Sequence, residues 1–134
     1  MKADAVKSPA MQLEFYWDEA GDPRARAAAT PAATTAAAAR QERVGRYLES
    51  DIQSNAGQAR DVVHAIDRVL AGRLPRWSDT GNAHTLTLSP RGAAITAELE
   101  PGARPVRLPL ADLRDIVAAW QAFLDRGRPA AGAG

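Results

Sequence analysis

WSDTGNAHTLTLSPRGAAITAELEPGARPVRLPLADLRDIVAAWQAFLDR, residues 77–126, decides the fold of this chain. GNAHTLTLS and AAITAELE read as two strands joined by a PRG turn, with PVRL as a short third strand. In the first, His84, Leu86 and Leu88 share one face and Thr85, Thr87 and Ser89 the other. In the second, Ala93, Ile95, Ala97 and Leu99 oppose Ala94, Thr96 and Glu98, and Val106 and Leu108 continue the apolar face. Alternation with period two is the mark of strands buried on one side only, as in an antiparallel sheet with one open face. The closing segment LADLRDIVAAWQAFLDR changes period. Leu113, Ile116, Val117, Trp120, Phe123 and Leu124 recur at helical spacing. Asp112 and Asp115 suit the positive end of the helix dipole, and Gly127 and Pro129 stop the helix. This stripe must dock on the apolar face of the sheet, with Trp120 as its anchor.

Working back toward the N-terminus, Asn55 stands where an N-cap would, three residues before Gln58. The helix it opens carries Val62, Ile66, Val69 and Leu70 as its apolar stripe, with Val63 at the margin. Gly72 and Pro75 end it, and Leu74 is placed to fold back. SDTGN after Trp77 reads as a loop. QLEFYW, residues 12–17, alternates as a strand with Leu13, Phe15 and Trp17 on one face. The turn DEAGDP follows, and PRARAAAT can pair back as a second strand. Residues 25–40 are rich in Ala. They read as a low-complexity insertion or loop, with helix starting from about Thr35 at its end. In RVGRYLESDIQ, Val44, Leu48 and Ile52 have helical spacing, but Gly45 weakens a helix and leaves the state open. Together these features predict an α+β domain over residues 11–127. It has a mainly antiparallel sheet of about five strands with two principal helices on one face. Residues 1–10 and 128–134 read as disordered tails, and Met11 is an alternative start to Met1.

Composition narrows the chemistry. The chain has 134 residues, 17 Lys and Arg, 16 Asp and Glu, and no Cys. Absence of Cys removes disulfides, thiolate metal sites and Cys nucleophiles. Near charge balance argues against a dedicated nucleic-acid binder. No apolar run approaches the length of a membrane span, and the cytoplasm is the expected compartment. His64 lies off the apolar stripe of its helix, and His84 has core-face parity. Neither has a partner at metal-ligand spacing. The acidic groups Asp18/Glu19/Asp22, Glu49/Asp51 and Asp112/Asp115 read as turn or helix-end electrostatics. No nucleotide-binding or nucleophile motif is present. The expectation is no catalytic residue, no cofactor and no metal. A small hydrolase would need a deep pocket uniting titratable groups, such as His84 with Asp79.

The motifs LEFYWDEAGDPRA (13–25), VGRYLESDI (44–52), WSDTGNAHTLTL (77–88) and DIVAAWQAFL (115–124) resemble the YacL-like family of small bacterial proteins. That family includes immunity proteins of contact-dependent growth inhibition systems. The resemblance implies an α+β domain and a non-catalytic role in the cytoplasm. There the protein would bind a cognate toxin domain, often a nuclease, as a 1:1 heterodimer, with no direct nucleic-acid, membrane or small-molecule partner. A housekeeping binding protein of the same family is the alternative. Sheet parity adds an open polar face with Glu14, Tyr16, Arg24, Arg26, Thr85, Thr87, Thr96, Glu98 and Arg107. From it Glu14, Tyr16, Glu98 and Arg107, joined by Asp18 at a strand end, are the expected partner-binding residues. Residues 78–82 are the second candidate.

Overall fold

A computed structural model describes residues 6–8, 13–27 and 34–128. The proposed start at Met11, the centre of the Ala-rich segment and nearly all of the C-terminal tail lie outside these residues. The α+β class expected from the sequence holds, and all strand pairing is antiparallel. The strands expected in one sheet divide between two. β1 (Val6–Ser8), β2 (Leu13–Trp17) and β3 (Pro23–Ala27) form the first sheet in chain order. Residues 6–8, expected within a terminal tail, are thus a strand paired with β2. β4 (Trp77–Thr80), β5 (His84–Ser89), β6 (Gly92–Ala97) and β7 (Val106–Leu108) form the second.

The expected hairpin register is observed. His84 pairs with Ala97, Leu86 with Ile95, and Leu88 with Ala93, and all six are buried. β6 stops at Ala97, however, so Leu99 does not continue the core face. It sits in a turn, 75% exposed. Segment 78–82, read as a loop, supplies most of an edge strand instead. Trp77–Thr80 pairs with Thr85–Leu88. β4 has only one apolar side chain on its inner face, which is why alternation did not reveal it.

Three helices cover the sheets. α1 (Thr35–Tyr47) takes up the end of the Ala-rich segment. Its N-cap is Thr34, whose Oγ1 accepts from the Ala37 N–H at 3.0 Å. Gly45, which weakens a helix by propensity, is needed by packing. A Cβ there would stand 3.3 Å from the Ala25 carbonyl oxygen, so Gly45 lets α1 lie close against β3. α1 then continues into a π-helical turn, Leu48–Ile52. α2 (Ala56–Leu70) begins at Asn55, whose side chain accepts from the Gln58 N–H at 3.0 Å as expected. Leu70, assigned to its stripe, is exposed, while Leu74 packs on the core. α3 (Leu110–Arg126) buries Leu113, Ile116, Val117, Trp120 and Phe123.

Trp120 joins the layers. It is fully buried and meets the Phe15 ring edge-on with centroids 5.0 Å apart. Phe123 stacks on Trp17 at 5.0 Å. The Trp120 indole N–H donates to the Gln53 carbonyl at 2.9 Å. Thus α3 holds the first sheet and the end of the π-turn in one core. No helix among the described residues is long and apolar enough to cross a membrane.

Candidate functional site

The π-turn positions the one buried carboxylate–imidazole pair. Widening the helix over Leu48–Ile52 points Asp51 inward, toward the turn between β4 and β5. Its Oδ2 accepts from the His84 backbone N–H at 3.0 Å and from that of Ala83 at 3.4 Å. Its Oδ1 lies 2.9 Å from His84 Nδ1. Gly81 permits this approach, because a Cβ there would overlap Asp51 Oδ2. His84 Nε2 lies 3.2 Å from Arg43 Nη1. Arginine can only donate, so Nε2 accepts and Nδ1 carries the proton given to Asp51. Arg43 Nη2 in turn donates to Glu100 at 2.5 Å. The result is a chain, Glu100–Arg43–His84–Asp51, running from the surface into the core. Tyr47 stands edge-on to His84, with ring centroids 6.0 Å apart. Its hydroxyl is buried without a hydrogen-bond partner. Burial foremost, then the Asp51 and Asp79 charges, push the Tyr47 phenol above its ordinary range.

A groove of about 780 Å³ lies above this chain, lined by α1, β3 and the ends of β5 and β6. Its charged residues are largely paired internally. Arg43 holds Glu100, Arg46 holds Glu42, and Arg26 holds Glu14. Glu49 accepts from the Ala25 N–H at 2.7 Å and ties the π-turn to β3. A His–Asp pair with this tautomer resembles an oriented general base, but the nitrogen that would take a proton is occupied by Arg43. His84 is also only 3% exposed. The pairing of His84 with Asp79, weighed from the sequence, is not what forms. Asp79 stands on β4 opposite Leu86, and Asp51 takes its place beside His84.

The second groove, about 750 Å³, runs between the start of α2 and β4. Asn55, Gln58, Arg60, Asp61, Asp79 and Asn82 line it. Asp61, Asp79 and Arg60 have no ion-pair partner among the described residues. His64 is exposed on α2, as expected. No group of three or more His, Asp or Glu among the described residues is placed to hold a metal.

The five expected partner-binding residues fall on two different sheets. Glu14 and Tyr16 are on β2. Glu14 is only 7% exposed and pairs with Arg26 at 3.3 Å, and the Arg26 guanidinium lies 4.3 Å from the centre of the Tyr16 ring. Asp18 closes the β2–β3 turn, accepting from the Asp22 N–H and from Arg24 Nε, each at 2.9 Å. These contacts hold its carboxyl below the usual range. Glu98 is exposed in the turn after β6, and Arg107 is exposed on β7. The sequence assigns Asp51, with Glu49, to turn or helix-end electrostatics and gives no sign of Arg43, whereas the structure brings both to His84. A hint existed for Asp51, an acidic residue one position before Ile52 in the apolar series Val44, Leu48, Ile52. Only the π-turn brings it inward.

No family model, curated protein or solved structure matches this chain.

Proposed function

We propose that this chain is a non-catalytic capture protein, an immunity protein that neutralises a cognate toxin domain by 1:1 binding. The observation that carries the reading is the state of His84. The one histidine set against a carboxylate spends both ring nitrogens holding α1 and the π-turn onto β5. The chain's best general-base candidate is thus committed to structure. Unpaired polar groups occur instead at the surface, along the groove beside β4. The motif resemblance supplies the toxin as the partner, and a specific surface of about 1,600 Å² in total is the size such capture needs. Acidic side chains at that surface would speed association with a basic nuclease.

The test is to purify the chain with the toxin domain encoded beside its gene. Co-elution at 1:1 and survival of toxin-expressing cells are the expected results. A gene with no toxin neighbour, or a chain that gives no protection, overturns the reading. The His84–Asp51 pair beside a groove is the observation favouring a hydrolase. That reading requires Arg43 to swing away, so Arg43→Ala would raise hydrolytic activity. On the capture reading neither protein hydrolyses anything.

A further inference from the structure

β4 is the outer strand of its sheet, with no strand beyond it among the described residues. The Gly81 N–H donates to the His84 carbonyl at 2.9 Å. Antiparallel ladders alternate, so Asp79 and Trp77 also bond toward β5, at Leu86 and Leu88. Ser78 and Thr80 therefore turn their N–H and C=O groups outward, with no strand among the described residues to receive them. The groove between α2 and β4 runs along this edge. Asp79 belongs to the helix-side face of the sheet and lines that groove together with Asp61. Asp51, also in its wall, faces inward and accepts from the backbone N–H groups of Ala83 and His84 and from the His84 ring. Arg60 is the one cation in the lining.

An inward charge on an edge strand discourages pairing with an ordinary apolar strand. It also disfavours a second copy of this chain, because β4 against β4 would bring two Asp79 carboxylates to the same side of the joint sheet. The same charge selects a strand that carries a cation there. From these features we infer that the β4 edge receives an extended segment of a partner protein as an added strand, with a Lys or Arg of that segment seated in the groove against Asp79 and Asp61. Main-chain bonds to Ser78 and Thr80 supply affinity, and the groove reads alternate side chains. The buried Tyr47 hydroxyl, which feels both Asp51 and Asp79, has no hydrogen-bond partner of its own. This inference rests on the binding role proposed above but does not require the partner to be a toxin.

The full chain can be titrated into labelled, end-capped nine-residue peptides with Lys and Thr alternating, beside matched peptides with Glu for Lys. The Lys peptide should bind at least tenfold more tightly. Asp79→Lys should abolish or reverse that preference. Ser78→Pro removes an outward N–H without a ladder bond, and should weaken binding at least tenfold with an unchanged melting temperature. Should that variant unfold, a Lys peptide with alternate backbone N-methyl groups tests the same bonds on the native chain. Equal binding of the Lys and Glu peptides, an unaffected Asp79→Lys protein, or full binding by Ser78→Pro or to N-methylated peptide overturns the inference. So does self-association through β4 in sedimentation. Toxin co-elution that survives Ser78→Pro and Asp79→Lys would keep the capture role and reject this edge.

Discussion

Asp51 and His84, 33 residues apart in the chain, meet through two contacts, one from the His84 backbone N–H at 3.0 Å and one from its ring Nδ1 at 2.9 Å. Both side chains are buried. The pair therefore fixes where the π-turn sits against β5, and with it the relation between the two grooves.

Asp51→Ala leaves the His84 N–H and Nδ1–H without acceptors in the interior. Stranding such donors costs about 1–3 kcal/mol each, so a loss of roughly 3 kcal/mol is expected in urea unfolding at pH 7. Asp51→Asn keeps a carbonyl acceptor on one side and should recover part of it. A loss below about 1 kcal/mol for the alanine variant would mean water replaces the carboxylate.

Gly81→Ala should destabilise the native chain by about 2 kcal/mol, since the added Cβ overlaps Asp51 Oδ2. The same change in an Asp51→Ala background should cost far less. A double-mutant cycle by chemical denaturation should return a coupling of at least about 1 kcal/mol. Simple additivity would show that Gly81 is needed for its own turn and not for the carboxylate.

Gln53 has φ of 56° and ψ of −136°, a conformation side chains rarely adopt. Its side chain is exposed and donates only to the Ser50 carbonyl. Gln53→Gly relieves the strain while keeping the carbonyl that accepts from Trp120. A gain of about 1 kcal/mol is expected, seen as a higher urea midpoint with an unchanged slope.

Asp67 on α2 is bound bidentately by Arg114 of α3, at 2.5 and 3.1 Å. The Arg114 hydrogen bonds, and then its charge, hold the Asp67 carboxyl below its ordinary 3.8. A lowered folded pKa gives stability that is complete above the unfolded value and disappears as pH falls through the folded one. Both groups are more than a third exposed, so solvent limits the pair to about 0.5–1 kcal/mol. Arg114→Ala should lose that amount at pH 7 and progressively less as pH falls below the ordinary carboxylate range, with the pH 7 difference shrinking in 1 M salt. A pH-independent difference would assign the loss to packing.

Much of the fold was legible because strong alternation and strong helical spacing each identify one buried side. His84, Leu86 and Leu88 alternate cleanly, and the α3 stripe returns to Trp120 at the right turn of helix. β4 was not legible. It is a short polar edge strand whose state depends on β5 lying next to it. α1 is only partly legible, because Ala and Gly carry little burial signal. Its place is set by Gly45 approaching Ala25. The expected partner residues share one open face only if the strands form one sheet. With two sheets, Glu14, Tyr16 and Asp18 separate from Glu98 and Arg107, and Arg26 already engages Glu14 and Tyr16.

By itself the sequence determined the antiparallel hairpin from His84 to Ala97, the cap at Asn55 and the anchoring helix around Trp120. These depend on local periodicity and capping chemistry, which a chain carries residue by residue. Only the tertiary structure decided that the strands form two sheets, that Asp51 rather than Asp79 meets His84, and that β4 is an edge strand among the described residues beside a groove lined by Asp61 and Asp79. Those outcomes depend on contacts between residues far apart in the chain, and on a π-turn whose inward carboxylate is stable only once the turn at Gly81–His84 supplies its donors.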